Sequence, residues 1–223
     1  MEKLDLKKQF KHLYLPSAKE VAIVDVPEMK FLVIDGVIEP GEMPGTSPGF
    51  SQGVGALYGL AYTIKFMSKQ RSVDPIDYAV MALEGLWTTA AGGADYATAD
   101  QWLWTLMIMQ PVHIDRSMFD QALAQVKEKK GKQAKKAGED PATAVAPFDL
   151  VRLESFHEGL SVQIMHIGPY SDEAGSLDKM AAHAAEHGYE YHGKHHEIYL
   201  GDPRTAKPEN LKTVLRHPVR KTA

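Results

Sequence analysis

His195-His196-Glu197-Ile198-Tyr199-Leu200-Gly201-Asp202-Pro203 is the stretch on which the predicted fold depends. Its composition predicts a β-strand that ends in a Gly-Asp-Pro turn. Because side chains along a strand alternate between two faces, Ile198 and Leu200 point one way and Glu197 and Tyr199 the other. We expect the apolar pair to face a helix-covered core and Glu197 to line a pocket. From this stretch alone, a solvent-exposed glutamate on a half-buried strand is an equally weighted alternative.

The overall composition is typical of a globular protein with a hydrophobic core. Of the 223 residues 44% are hydrophobic, and the formal net charge of −4 does not suggest nucleic-acid binding. The sequence has no signal-peptide core and no apolar run of the ~18 residues that a membrane span needs. We therefore expect a cytoplasmic protein without membrane contacts. Cysteine is absent, which excludes disulfides, thiolate catalysis and thiolate metal sites.

The two halves of the chain show the same order of predicted elements: strand, helix, strand, strand. In the first half the strands are Met29–Gly36, Tyr78–Glu84 and Trp102–Met109, and the helix carries Val54, Leu57, Ala61 and Ile64 at helical spacing. Ala90–Ala94 is predicted to be flexible, and a further helix is predicted from about Ser117, its N-cap. The second half is predicted to contain a ribbon, a helix and two strands: Val151–Phe156 with Ser161–Ile167, Asp172–His187, His195–Leu200 and Thr213–Arg216.

This repeat predicts an α+β fold made of two pseudo-symmetric strand-helix-strand-strand modules, with antiparallel sheets and a central ligand cleft. The modules are expected at about 21–130 and 148–219 within one domain, 21–223. A Lys/Ala/Gly/Pro-rich linker at 131–147 is expected to join them, because its composition favours a frayed helix end and solvated chain. Residues 1–20, punctuated by lysines, are predicted to be a flexible or surface-draped lead-in.

Period-two alternation predicts which side chains line the cleft. It gathers Glu84, Trp102, Trp104, Glu197 and Tyr199 on one face, with Trp87 at one end. Two carboxylates among aromatic rings favour a flat apolar or cationic ligand. The alternative is that the tryptophans fill the core between two sheets. Tyr62, one turn after Tyr58 on the first helix, is a further candidate ligand contact.

Other kinds of site find little support in the sequence. His183 and His187 are four residues apart on one helix, and three more histidines follow at 192, 195 and 196. That spacing can bind zinc or nickel, but surface histidines are the favoured interpretation, and no metal or other cofactor is predicted. The chain has no Gly-x-Ser-x-Gly nucleophile motif and no phosphate-binding loop.

Four short motifs resemble those of the GyrI-like small-molecule-binding domain family, in particular its stand-alone bacterial members. They are Leu83–Trp87 (LEGLW), Met107–Pro111 (MIMQP), His166–Tyr170 (HIGPY) and Glu197–Pro203 (EIYLGDP). Their joint order and spacing carry the resemblance, which extends from about residue 21 to 219. Ala82 and Thr88 depart from the expected proline and second tryptophan, so the pocket should be roomier or less aromatic at one edge.

The resemblance implies a cleft centred on Glu197. Transcription-regulator relatives bind cationic aromatic drugs there, and some stand-alone relatives open the cyclopropane ring of DNA-alkylating compounds. Carried over to this chain, the acidic roles fall on Glu197 and Glu84 and the aromatic roles on Tyr170, Tyr199, Trp87 and Trp104. Together with the alternation and helix spacing above, this predicts Glu197, Tyr199 and Tyr170 as catalytic residues. The predicted ligand-binding residues are Glu84, Trp87, Trp102, Trp104 and Tyr62.

Three functions remain open from the sequence. The first is a hydrolase that detoxifies strained, genotoxic electrophiles and so confers drug resistance, with Glu197 activating water. The second is a non-catalytic protein that sequesters aromatic, apolar or cationic compounds. The third is a protein inhibitor of another enzyme, acting through an exposed surface on a protein partner.

Overall fold

The computed structural model describes residues 2–89 and 101–222, and these form an α+β fold, as predicted. The stretch Ala90–Ala94, predicted to be flexible, lies outside the described residues. The helices are α1 Leu6–Gln9, α2 Lys11–Tyr14, α3 Pro48–Gln70, α4 Arg116–Ala137, α5 Pro141–Asp149 and α6 Ala174–Glu186. The strands are β1 Glu2–Leu4, β2 Ala22–Val26, β3 Met29–Ile38, β4 Ile76–Tyr78, β5 Leu83–Thr89, β6 Trp102–Gln110, β7 Arg152–Phe156, β8 Gly159–Ile167, β9 Tyr189–Tyr191, β10 His195–Tyr199 and β11 Lys212–Lys221. None of the helices in these described ranges is both long and apolar enough to cross a membrane.

The chain divides into two compact units, each assembled from three segments. Unit 1 contains Met1–Leu6, Met29–Met81 and Thr105–Ser155, and unit 2 contains Lys7–Glu28, Ala82–Trp104 and Phe156–Ala223. Each unit therefore combines segments from both of the contiguous modules expected from the sequence. The pseudo-symmetry of those modules stays a prediction.

Unit 1 is built around the long helix α3, which packs on β3 and on α4. Leu57, Leu60, Ala61 and Ile64 are buried along one side of α3, which confirms the helical spacing seen in the sequence. Ser47 precedes the helix and Pro48 occupies its first turn, where a missing N–H costs nothing. In the same unit β1 pairs in parallel with β4.

The predicted linker at 131–147 is mostly helical. Helix α4 continues to Ala137, because alanine and lysine are strong helix formers, and it ends where Gly138 takes a left-handed conformation at φ 77°. Asp140 then caps α5 by accepting hydrogen bonds from the backbone N–H groups of Ala142 and Thr143. The start of α4 also differs from the prediction, since Asp115 rather than Ser117 is its N-cap.

Two strand predictions were wrong in detail. The single strand predicted over Tyr78–Glu84 is two strands, β4 and β5, because β4 pairs with β1 in unit 1 whereas β5 pairs with β10 in unit 2. The ribbon predicted from β7 and β8 has nearly correct bounds, but β8 pairs with β2 and β11 instead.

Unit 2 contains an antiparallel sheet in the order β2-β8-β11-β10-β5, with β9 added to the far end of β11. Helix α6 packs against β8 and β11. Its Met180 and Ala184 share a buried cluster with Ile164 of β8 and Leu215 of β11. These contacts bury one side of the helix predicted over Asp172–His187, and α6 ends before Gly188, which takes a left-handed conformation at φ 74°.

The register of β10 shows which face of this sheet each residue occupies. Glu197 is paired with Leu215, and Leu215 with Ile164, and directly paired residues of antiparallel strands share a face. Glu197 therefore lies on the α6 side of the sheet. The predicted alternation is correct, but the expectation that Glu197 faces away from the helix-packed core is wrong, because α6 covers the face opposite to the one assumed.

The other face carries a buried network of two acids and two bases. His196 donates from Nδ1 to Glu158 at 3.0 Å and from Nε2 to Glu84 at 3.1 Å. Arg216 donates to the second Glu158 oxygen at 3.1 Å and to Gln163 at 3.0 Å. The network is therefore electrically balanced, which is the condition under which charges are tolerated in an interior.

Residues 12–14 contact this network, so this part of the lead-in predicted for 1–20 is not draped over the surface. Tyr14 is completely buried and donates its hydroxyl to Glu84 at 2.6 Å. The backbone carbonyl of Leu13 accepts from Arg216 at 2.7 Å, and that of His12 accepts from Gln163 at 2.6 Å. Sequence patterning missed this because two of the three contacts use main-chain atoms.

The network has clear electrostatic consequences. Burial opposes protonation of His196, but the charge of Glu158 and the hydrogen bonds to Glu158 and Glu84 outweigh it and raise the His196 pKa to about 9. Burial likewise opposes ionisation of Glu158, yet His196 and Arg216 lower its pKa to about 2. Both His196 nitrogens face carboxylates, which accept hydrogen bonds, so the ring is an imidazolium.

We predict that Glu158→Gln destabilises the protein by about 3–5 kcal/mol at pH 7, because it leaves buried positive charge uncompensated. The exposed Glu154, paired with Arg152, provides the matched control, and Glu154→Gln should cost about 0–1 kcal/mol. Chemical denaturation of the three proteins measures this difference. Equal losses for the two variants would contradict the proposed role of the network.

The same variant tests the pH dependence. The Glu158 pKa is lowered from 4.5 to about 2 on folding, so its stabilisation is complete above pH ~4.5 and is lost as the pH falls towards 2. Wild-type protein should therefore lose more stability between pH 5 and 2 than Glu158→Gln does. If wild type and Glu158→Gln gave parallel acid-unfolding curves, Glu158 would not be the cause of the stability lost at low pH.

Candidate functional site

Trp87, Tyr199 and Glu197 lie together on the α6 side of the unit 2 sheet. Trp87 of β5 donates its indole N–H to the hydroxyl oxygen of Tyr199 on β10 at 2.9 Å. Tyr199 lies close enough to Glu197 for the carboxylate charge to raise the pKa of its hydroxyl, after the larger effect of burial. The register pairs Glu197 with Gly85 and Trp87 with His195, so these side chains share one face. The carboxylate of Glu197 thus lies next to a hydrogen-bonded pair of aromatic side chains.

The tyrosines beside Glu197 are held in their neutral form. Burial raises the pKa of Tyr199 well above its usual value, and the nearby Glu197 charge raises it further. Burial, followed by the charges of Glu197 and Glu173, raises the pKa of Tyr170 to about 12. At neutral pH both phenols therefore keep their protons and can donate hydrogen bonds.

Gly85 makes the contact between Trp87 and Tyr199 possible. A Cβ atom at this position would lie 2.8 Å from the Trp87 indole nitrogen and 3.1 Å from the Tyr199 hydroxyl oxygen. A glycine inside a strand often marks such a close approach. In the Leu-Glu-Gly-Leu-Trp motif, Trp87 therefore supplies the hydrogen-bond donor, and Gly85 leaves the room in which Trp87 and Tyr199 meet.

Further aromatic rings extend the site on both sides. Tyr170, in the turn before α6, lies edge-on to Tyr199 with ring centroids 5.8 Å apart. Trp102 lies edge-on to Trp87 with centroids 6.4 Å apart. Tyr170 is exposed and Trp102 half-buried, so these two rings offer accessible surface next to the more deeply buried Trp87.

One functional candidate, Glu173, was missed by the sequence analysis, and a second, His195, was named there but interpreted as a surface histidine, which is wrong because it is buried. Glu173 is buried at the start of α6, and burial and the neighbouring Glu197 charge raise its pKa to about 9. His195 Nε2 lies 3.4 Å from Glu197 Oε1. The sequence does place His195 on the same face as Glu197, because the two residues are two positions apart on one strand. Glu173 has no such indication, because an acid near a helix N-terminus is common.

Two groups of side chains in the described ranges have the composition and spacing of metal ligands. One is Glu173, His195 and Glu197; the other is His183, Glu186 and His187 on α6. The second group lies at the surface, as expected from the sequence, with the two imidazole rings 4.1 Å apart. Only the first belongs to the site around Glu197.

The structure brings together most, but not all, of the predicted site residues. Glu197, Tyr199, Tyr170, Trp87 and Trp102 are neighbours in unit 2. Trp104 is buried and shares the Trp102 side of β6 by alternation. Tyr62 is an exposed residue of unit 1, stacked on Tyr58.

Glu84 does not lie on the predicted face. It is paired with Ile198, one residue out of phase with Glu197, and is completely buried between Tyr14 and His196. The grouping of Glu84 with Glu197 was wrong because alternation within a strand does not show which face of the neighbouring strand it matches, and the register pairs Glu84 with Ile198. Its role is in the buried network.

Comparison with known proteins identifies the family. The model of the GyrI-like small molecule binding domain matches residues 19–220. Three solved structures from Listeria innocua are similar over 97–98% of this chain and 100% of theirs. An uncharacterized conserved protein is 34% identical with a TM-score of 0.82, and two proteins described as hydrolases are 35% and 36% identical with TM-scores of 0.76 and 0.78. No curated protein matches the chain. The chain belongs to the family of GyrI-like small-molecule-binding domains.

Proposed function

We propose that the face of unit 2 around Glu197 binds a flat aromatic or cationic small molecule and hydrolyses a strained electrophile. Membership of the family supports small-molecule binding, and the two similar Listeria innocua proteins described as hydrolases support hydrolysis. The observation that carries the proposal is the position of the Glu197 carboxylate, which is 17% exposed in its side chain and lies next to the hydrogen-bonded Trp87–Tyr199 pair.

The proposed reaction is water addition to an activated cyclopropane. Glu197 takes a proton from water, whose oxygen forms a bond to the ring carbon while the strained carbon–carbon bond breaks. The released electron pair passes to a conjugated carbonyl oxygen, which takes up a proton and completes the balance. Tyr170, neutral and next to Glu197, is placed in the role of a hydrogen-bond donor to the developing negative charge.

The aromatic side chains are assigned to binding. Trp87 and Tyr199 form the wall, with Tyr170 and Trp102 at its more accessible edges. Trp104 stays a predicted ligand contact in unit 2. Tyr62 belongs to unit 1, so its prediction is kept separate from this site, and Glu84 is not included. Detoxification of genotoxic compounds, and hence drug resistance, would be the cellular consequence of this activity.

A second candidate function is binding without turnover. It is favoured by the combination of aromatic rings with the Glu197 carboxylate, which stabilises a cation without any chemistry. Sustained turnover beyond one equivalent of substrate separates hydrolysis from sequestration.

Glu197→Gln should lower hydrolysis of a cyclopropane-bearing alkylator by about 10²–10⁴-fold, the usual contribution of a general base. The amide is nearly isosteric, so the fold should survive, and affinity for an uncharged ligand should change little. The exposed Glu190, which pairs with Arg220 on the surface, supplies the control Glu190→Gln. Unchanged turnover with weaker cation binding would favour the second candidate function instead.

Tyr199→Phe removes the hydroxyl between Trp87 and Glu197 and should lower kcat by about 10–100-fold, the value of one hydrogen bond to a charged group. Tyr191→Phe is the control, because the Tyr191 hydroxyl is buried without a hydrogen-bond partner and its loss should leave turnover unchanged. Steady-state kinetics with the same alkylator measures both. Equal kcat values for Tyr199→Phe and wild type would exclude an orienting role for this hydroxyl.

Gly85→Ala should weaken ligand binding by roughly tenfold, because the added methyl displaces the Trp87–Tyr199 hydrogen bond. It should also cost about 1–3 kcal/mol of stability through overpacking. Gly175→Ala in α6 is the control, since its Cβ meets nothing within 4 Å, and it should stabilise by about 1 kcal/mol. Tryptophan fluorescence quenching by planar cations measures affinity. Full affinity in Gly85→Ala would remove this contact from the binding site.

A further inference from the structure

Three side chains that can each bind a metal converge beside the proposed ligand site. Glu173, His195 and Glu197 each place one ligand atom within 4.8 Å of the others. Glu173 is only 8% exposed and His195 5%. The three come from two elements of unit 2, because Glu173 immediately precedes α6 while the other two are in β10.

The Glu173 carboxyl is not used by the rest of the fold. It occupies the N-cap position of α6 but makes no capping hydrogen bond. Its Oε1 atom is buried and has no hydrogen-bond partner. A buried carboxyl oxygen without a partner is costly, which points to an occupant of the space that this oxygen faces.

The spacing favours a bridging ion over direct hydrogen bonds. His195 Nε2 and Glu197 Oε1 are 3.4 Å apart, longer than the usual ~2.7–3.2 Å of an N–H···O hydrogen bond. Two ligands bound at ~2.0–2.1 Å to a tetrahedral ion are themselves roughly 3.4 Å apart.

The ion-pair partners of these acids also favour a cation, which on binding takes the place of the Glu173 proton. Within residues 2–89 and 101–222, the ion pairs formed by lysine and arginine do not include Glu173 or Glu197, and His195 is the only basic partner of Glu197. One imidazole nitrogen with two carboxylate oxygens suits a first-row divalent ion. Three protein ligands leave a fourth position for water, the pattern of catalytic zinc sites.

We infer that Glu173, His195 and Glu197 bind a divalent transition metal ion, with Zn²⁺ as the best match to this donor set. The inference goes beyond the proposed function, since metal binding is measured without any substrate. Where the site binds metal and also hydrolyses the substrate, the ion would lower the pKa of the attacking water, and Glu197 would be a metal ligand in place of the free general base described above. Glu197→Gln then weakens metal binding as well as turnover, whereas a free general base affects turnover alone.

The test must separate this site from the surface group on α6. His183→Ala removes one ligand of that group and provides the background for all measurements, made on protein without a histidine tag. In this background we expect isothermal titration calorimetry to show that one Zn²⁺ ion binds per protein chain. Adding Glu173→Gln, or His195→Gln, should weaken binding at least tenfold, while circular dichroism shows that the fold is retained.

Co²⁺ provides a second readout that does not depend on affinity alone. Bound to these three residues and water, it should give the intense visible absorption of a four-coordinate site, and this absorption should disappear with Glu173→Gln. Absence of Zn²⁺ and Co²⁺ binding in the His183→Ala background would overturn the inference. The inference would also be overturned if Glu173→Gln left the Zn²⁺ affinity unchanged, because Glu173 would then only hold a proton beside Glu197.

Discussion

The buried contact between His196 and its two carboxylates is the constraint on which the arrangement of unit 2 depends. Buried ion pairs are often no more stabilising than well-packed apolar side chains, so their main effect is on which arrangement is allowed. A slip of β10 by one residue would place Glu197 where His196 lies, facing Glu84 and Glu158. Three carboxylates would then meet in the interior, and that register is excluded.

The site on the opposite face inherits its geometry from this register. Side chains along β10 alternate between the two faces of the sheet. The pairing that places His196 among acids on one face therefore places Glu197 opposite Gly85 and on the same side as Tyr199 on the other. Trp87 can then donate to Tyr199 over the space that Gly85 leaves open. The position of the Glu197 carboxylate is thus a consequence of buried charges on the opposite face of the sheet.

Elements with strong periodicity were predictable from the sequence, and those that depend on pairing partners were not. Helices α3 and α6 and strand β10 occur in the parts of the chain where the spacing of apolar residues predicted them. By contrast, β4 and β5 look like one strand because the sequence does not reveal that they pair with different strands. The helical part of 131–147 was missed because lysine-rich composition was given more weight than helix propensity.

The candidate site divides in the same way. Glu197, Tyr199 and Tyr170 came from motifs, and Trp87 from a motif and its place in a strand. Glu84 was misassigned because its facing follows from the β5–β10 register, which composition does not encode. Glu173 was missed because its burial depends on tertiary packing, and an acid near a helix start has an ordinary local explanation.

The main-chain contacts of residues 12 and 13 have a consequence for where this domain begins. The carbonyls of His12 and Leu13 accept hydrogen bonds from Gln163 and Arg216, and a carbonyl is present whatever side chain a homologue carries. Selection can therefore maintain these contacts without leaving a recognisable residue pattern. The family model begins at residue 19, so a domain delimited by sequence similarity omits the segment that completes its own buried network.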